Sequence, residues 1–574
     1  MPETSSASVP AALGRWAVDD APGAPDIFGV RASRNRIGPG PWATAQRLRA
    51  AAHNLVLRLP GPRPRRVVID LTGKLPARPP RADLAGRTGL IRSRPRSLHE
   101  LAALLRSLGA APWLGGAVFR IDGLDVPYAS AHAIRRLIHE FRSSGKAAVA
   151  LLSTLSRRAY YVACAADEVI VPEAADVRLH GVGICRLFFG EALAQLGVRF
   201  EKVAVGESKT AMDEFVRRDM SPADRAQLEA ILGGLESQFV HDVAMDRRLS
   251  PSDVRAAIDE GVTSAERLKE LGFIDRVAYE DEIIEPGSPP FAVAQRFLPM
   301  RAPEGDRFVA VVSVTGLILP GRARPSHSFF SSGVTTSHAI CRALRLAAED
   351  ELTGAIVLHI DSPGGSALAS DLIWREAHLA AARKPVVALL GAVAASGGYY
   401  VAAAARHVVA APSTVTGSIG VVTGKIVADA LLDRHGVHAE LLERGRFAHL
   451  GSLARAWSDD ERALLERSSR EIYERFVARV AEGRRLARER VDAIGQGRVW
   501  LGADALRVGL VDELGDWETA VGRAADLAGI PRDAPIWDVP TSSGGALSDL
   551  SGMVVPLLAD RHWLVGPLGL DAVD

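Results

Sequence analysis

Tyr160-Tyr-Val-Ala-Cys-Ala-Ala166 and Tyr399-Tyr-Val-Ala-Ala-Ala-Ala405 are one segment written twice, roughly 239 residues apart. The repetition spreads outward in both directions. Val67-Val-Ile-Asp-Leu-Thr-Gly73 returns as Phe308-Val-Ala-Val-Val-Ser-Val-Thr-Gly316, and residues 115–122 return as Gly354-Ala-Ile-Val-Leu-His-Ile-Asp361. Met220-Ser-Pro-Ala-Asp-Arg225 returns as Trp457-Ser-Asp-Asp-Glu-Arg462. Spacing that drifts by only a few residues over this length marks a duplicated, domain-sized unit.

Within each copy, short apolar runs alternate with helical patterns, which implies a parallel sheet covered on both faces and hence an α/β fold. The patterns predict strands at 117–122, 147–152, 168–172 and 385–390, and helices at 129–143, 221–235, 250–271 and 399–405. Glu285-Pro-Gly-Ser-Pro-Pro290 and the charged stretch 301–307 read as a linker. The expected units are an extension at 1–60, repeats at 61–290 and 301–540, and a tail at 541–574.

Length and composition bound the function. The chain has 574 residues, 48% hydrophobic and 24% charged, which suits large packed cores. A formal net charge of +1 supplies no global field towards nucleic acid, so no nucleic-acid partner is expected. Cys164, Cys185 and Cys341 show no metal spacing and read as small core residues of a reducing compartment. No secretory h-region and no apolar run of membrane-spanning length is visible; the tail 553–559 is short and holds Pro556. Residues 42–59 form a basic helical pattern with Leu48, Ala52, Leu55 and Leu59 on one face. Such a helix usually covers its own domain, and it can also lie on an anionic membrane surface.

The two copies differ where chemistry would occur. Val393-Ala-Ala-Ser396-Gly-Gly-Tyr-Tyr400 puts a lone serine between an apolar strand and a helix, at a turn where unpaired N–H groups favour negative charge. An ordinary helix-capping serine would look the same. The first copy has Arg157-Arg-Ala159 at that place. Asp361-Ser-Pro-Gly-Gly-Ser366 follows a strand, and its glycines can offer backbone N–H groups to an oxyanion; the first copy has Asp125-Val126 opposite Gly364-Gly365. Thr416-Gly-Ser-Ile-Gly420 is a third glycine-rich turn, whose Ser418 could hydrogen-bond a catalytic base. A nucleophilic serine needs a base, and neither His359 nor His407 is placed for the role by any motif. A lysine serves if burial keeps its amine neutral. Lys209, in Gly206-Glu-Ser-Lys-Thr-Ala211, is the candidate, and it falls opposite Arg446. Each copy therefore keeps what the other lacks.

Together these motifs, with Arg218-Asp-Met-Ser-Pro222, resemble the protease IV group, the long tandem form of the signal peptide peptidase A family, over roughly residues 65–540. The resemblance implies two tandem Clp/crotonase-like domains and a serine endopeptidase with a Ser–Lys dyad split across the repeats. Ser396 would be the nucleophile, Lys209 the general base and Ser418 the serine that positions the amine. Gly364, Gly365 and Gly397 would supply the oxyanion hole. It further implies no cofactor, extended hydrophobic peptides as substrates, and a bowl-like homo-tetramer. The family's long form usually starts with a membrane-anchoring helix, which is not seen here. The expectation is accordingly a cytoplasmic enzyme, free or held peripherally at the membrane by helix 42–59. Two other functions share the fold: a crotonase-like acyl-CoA enzyme, which needs no serine–lysine pair, and a scaffold that has lost catalysis.

Overall fold

In the computed structural model the duplicated segments become duplicated sheets. It describes residues 63–78, 97–284, 307–322, 333–541 and 563–565, with isolated positions between 48 and 57 and at 298. The first repeat contributes β1 (Arg66–Gly73), β2 (Gly116–Leu124), β3 (Ala147–Leu151) and β4 (Glu168–Val171), parallel and in that spatial order, with Arg276–Val277 along the outer edge of β4. Helices α1 (Tyr128–Ser143), α2 (Arg157–Ala163) and the long α3 (Pro222–Arg247) belong to this half. One further strand, β5 (Arg199–Val205), takes no part in its sheet.

The second repeat redraws the plan. Strands β6 (Phe308–Leu319), β7 (Thr353–Ser366), β8 (Val386–Ala395) and β9 (His407–Ala410) pair in parallel in the same order, with Glu513–Leu514 on the outer edge of β9. Ala355, Ile356, Val357 and Leu358 on β7 are all fully buried, so successive side chains on both faces of the sheet are covered and the strand reads as an unbroken apolar run. Helices α4 (Ala367–Ala381) and α5 (Gly397–Ala402) directly follow β7 and β8, and α6 (Asp459–Arg484) and α7 (Arg488–Ile494) come in succession later in the repeat.

Both long helices, α3 and α6, run for 26 residues. Each is opened by a serine that accepts a hydrogen bond from the third helical residue: Ser221 from Asp224 N, and Ser458 from Glu461 N. Each is closed by a left-handed arginine, Arg248 or Arg485. The duplication thus extends to the caps.

The larger sheet also contains β10 (Val415–Gly417), β11 (Val421–Val427), β12 (Val499–Leu501) and β13 (Trp563–Val565). Strand β8 forks: its first half pairs with β9, and Val393–Ala395 pair with β10. Strand β5 of the first repeat crosses over and pairs antiparallel with β11, from Val205↔Val421 to Arg199↔Val427. This one pairing carries the chain that follows β5 into the second repeat.

Four expectations change. The helix read at 250–271 is two helices, Pro251–Glu260 and Ala265–Glu270, because Gly261 ends the first in a left-handed conformation and Ser264 caps the second. The helix read at 221–235 continues to Arg247, and the one read at 399–405 spans Gly397–Ala402. Cys185 is exposed rather than a core residue, whereas Cys164 is buried. The stretches 285–290, 301–306 and 553–559 lie outside the described residues, as does most of helix 42–59. Of that helix, Leu48 and Leu55 are helical and exposed. Among the described residues no helix is long and apolar enough to cross a membrane.

Candidate active site

Strand β8 delivers the serine. Ala394 and Ala395 are fully buried, and the strand ends against Ser396, whose N–H donates to Gly417 O at 2.8 Å. Ser396 adopts φ 53°, ψ −116°, a conformation that costs a non-glycine residue on the order of 1–3 kcal/mol. Its hydroxyl does not cap α5. The first repeat provides the contrast: Ser156, just before Arg157, has an ordinary extended backbone and caps α2 by accepting from Ala159 N. Arg157 itself is held by His180 O and Glu236. The capping explanation therefore fits Ser156 and not Ser396.

The β5–β11 pairing delivers the lysine. Four residues beyond Val205, Lys209 extends into the second repeat, where Nζ lies 2.8 Å from Ser396 Oγ, 3.1 Å from Ser418 O and 3.1 Å from Ser418 Oγ. Lys209, Ser396 and Ser418 are all buried. Burial drives the Lys209 pKa well below the ordinary lysine value, and the nearby charge of Lys202 lowers it further. Lys202 is held by Asp213 and donates to Lys209 O and Ala211 O. Arg446, the counterpart of Lys209, sits on the surface and pairs with Asp460.

The segment carrying Lys209 rests on a buried polar network that the motifs did not reveal. Fully buried Asp224 accepts from Thr210 Oγ1 at 2.8 Å and, through both carboxylate oxygens, from Arg186 Nη1 at 2.7 Å. Arg186 also pairs with Glu214 at 2.8 Å. Gln227 donates to Thr210 Oγ1 at 2.8 Å and to Ser208 O at 3.3 Å, and accepts from Val499 N of β12 at 3.4 Å. The sequence signal was present in the cap Ser221-Pro-Ala-Asp224: its acidic residue faces the Lys209 loop besides opening α3.

The glycines converge on the serine. A methyl group placed on Gly397 would lie 3.2 Å from both Gly364 Cα and Gly365 N, so these three backbones are in contact. Gly364 N–H already donates to Ser362 Oγ at 3.1 Å. The end of β7 also receives a strand: β13 pairs antiparallel with Gly364–Ser366 and touches β11 at Val422. His359 packs against Trp517 and His407 contacts Glu513 at 2.9 Å, so both histidines are occupied elsewhere. Among the described residues no group of three or more His, Cys, Asp or Glu is arranged to hold a metal ion.

Comparison with known proteins agrees with a duplicated chain. The family description "Peptidase family S49" matches twice, at residues 140–287 and 378–531. "Serine protease SPPA, chloroplastic" of Arabidopsis thaliana is 32% identical over 456 residues, covering 77% of this chain and 67% of the relative. "Protease 4" of Salmonella typhi is 32% identical over 466 residues, covering 76% and 73%. "Protease 4" of Haemophilus influenzae is 30% identical over 483 residues, covering 79% and 76%.

Proposed function

Because this chain belongs to peptidase family S49 and is a serine peptidase, we propose that it is an endopeptidase whose Ser–Lys dyad is assembled from two tandem Clp/crotonase-like repeats. The observation that carries this reading is the 2.8 Å approach of Lys209 Nζ to Ser396 Oγ in a buried site. A neutral amine has one lone pair and two N–H groups. The lone pair accepts the Ser396 hydroxyl proton, and the N–H groups donate to Ser418 O and Oγ, which holds the lone pair on target.

The steps follow from that arrangement. Ser396 Oγ attacks the scissile carbonyl as its proton moves to Lys209 Nζ. The carbonyl oxygen becomes an oxyanion beside the backbone N–H groups of Gly365 and Gly397. Gly364, which spends its N–H on Ser362, shapes the pocket. Collapse breaks the C–N bond, the Lys209 ammonium returns its proton to the leaving amine, and an ester to Ser396 remains. Lys209 then deprotonates a water that hydrolyses the ester, and the serine is regenerated.

The substrate is an extended, apolar peptide, such as a signal-peptide remnant. The pairing of β13 with Gly364–Ser366 supports this reading: that edge accepts a strand through its main chain, and backbone pairing tolerates many sequences. Exposed Leu187, Phe189, Leu196, Leu441 and Leu442 support a homo-oligomer, a tetramer in this reading. The exposed Leu48 and Leu55 support peripheral membrane contact by an otherwise cytoplasmic enzyme. The test is cleavage of an unfolded, apolar peptide library. Ser396→Ala and Lys209→Ala should each abolish it while the variants stay folded. Full activity in either variant refutes the dyad.

A further inference from the structure

Lys209 and Ser418 reach Ser396 on loops from different repeats. Both loops are held by a turn with no role in the steps above, Gln496-Gly497-Arg498, between α7 and β12. On one side, Gln496 O accepts from Ser208 N at 2.8 Å, and the turn packs against Gly206 so tightly that a methyl group there would lie 2.6 Å from Gln496 C. Gly497 lies directly on the lysine: a methyl group on it would fall 2.6 Å from Lys209 Cα and 2.7 Å from Lys209 Cβ. On the other side, Gly497 N–H donates to Ile419 O at 2.6 Å, and Arg498 O accepts from Ser418 N at 2.7 Å. The Ser418 loop in turn holds Ser396, through Gly417 O.

Resting on the Ser–Lys reading, we propose that this turn is the positioning element of the dyad: a clamp that touches both loops and so sets the Lys209-to-Ser396 approach. The turn needs glycine twice over, for its φ of +76° at Gly497 and for the room that Lys209 occupies. It has its own anchor in the body of the second repeat. Buried Tyr473 on α6 accepts from Gln496 N at 3.3 Å and from Gln496 Nε2 at 3.1 Å, and its hydroxyl donates to Asp492 Oδ1 at 2.6 Å. Gln496 Nε2 also donates to Asp492 Oδ1 at 2.7 Å. The anchor carries no atom to the reacting centre, so its effect on catalysis passes through the turn.

Two variants test this. Gly497→Ala should lower kcat about 100-fold with little change in KM, the size expected when a catalytic group is misplaced by about 1 Å. Tyr473→Phe should loosen the turn mildly, and it decides the matter if Gly497→Ala does not fold. The readout for Tyr473→Phe is the pH profile of Ser396 labelling by a fluorophosphonate. A loosened clamp admits water to the Lys209 amine, which stabilises the ammonium, so the acid limb should move to higher pH. The charged group facing that amine, Lys202 with its partner Asp213, is unchanged in this variant. Gly529→Ala serves as the control: it has the same left-handed strain, at φ +62°, with nothing within 4 Å of the added methyl and no contact with the site. It should lose stability without moving the limb. Near-normal kcat in Gly497→Ala overturns the proposal, as does a Tyr473→Phe profile lowered equally at every pH. If Lys209→Ala still labels and cleaves normally, the dyad reading fails instead, whatever the clamp variants do.

Discussion

Replacing Lys209 by methionine tests the protonation state of the amine without an activity assay. Methionine has a similar reach and no charge, so it fills the same buried slot. In the unfolded chain the lysine binds a proton up to a pKa of about 10.4. In the folded protein, burial and Lys202 depress that pKa, and the proposed base is the neutral amine. Over the range where this holds, the unfolded state binds one more proton than the folded state, so wild-type stability rises with pH. The linkage slope is about 1.4 kcal/mol per pH unit. The methionine variant lacks this term. At pH 7 the wild type carries a deprotonation cost of about 4–5 kcal/mol, offset by hydrogen bonds made by the amine, two donated and one accepted, worth about 1 kcal/mol each. With contacts to Ser396 Oγ, Ser418 O and Ser418 Oγ, the net is an advantage of about 2 kcal/mol for the variant. That advantage shrinks as pH rises, is gone by about pH 8.5, and has reversed at about pH 9. Urea unfolding followed by tryptophan fluorescence at pH 7, 8 and 9 measures the difference. A stability difference that does not change with pH would mean the folded protein holds an ammonium, and Lys209 could not be the base.

Other outcomes follow from neighbouring contacts. Ser418→Ala removes one of the two groups 3.1 Å from Lys209 Nζ and leaves the carbonyl, so kcat should fall about tenfold with KM within about twofold in steady-state kinetics. Asp224→Ala leaves Arg186 buried with Glu214 as its remaining ion partner, and should cost about 3–5 kcal/mol, read as a lower urea midpoint. The pH profile of kcat/KM should rise as Lys209 loses its proton, well below the ordinary lysine range. Lys202→Met removes a positive charge that lowers the Lys209 pKa, so the limb should move to higher pH.

Much of the candidate site was legible because the chain carries its own comparison. Ser396 opposite Arg157, Gly364-Gly365 opposite Asp125-Val126 and Lys209 opposite Arg446 stand out because the copy shows what an ordinary residue at each place looks like. The parallel strands were legible because burial on both faces leaves continuous apolar runs, as in Ala355-Ile-Val-Leu358. Strand β5 was not. Arg199-Phe-Glu-Lys-Val-Ala-Val205 carries three charges in its first four residues, and it is extended because β11, more than two hundred residues away, pairs with it. The clamp turn had only its Gly-Gln-Gly sequence, which signals a turn and says nothing of what the turn touches. Asp224 stood in the sequence only as part of the repeated segment 220–225, and only the folded chain shows its carboxylate holding Thr210 and Arg186.

The central claim is that an amine from the first repeat activates a hydroxyl from the second. Fluorophosphonate labelling with peptide mapping, run in parallel on the wild type and Lys209→Ala, tests it most directly. The account predicts a single adduct on Ser396 in the wild type and none in Lys209→Ala at the same exposure. An adduct on Ser396 forming at the wild-type rate without Lys209 would contradict it.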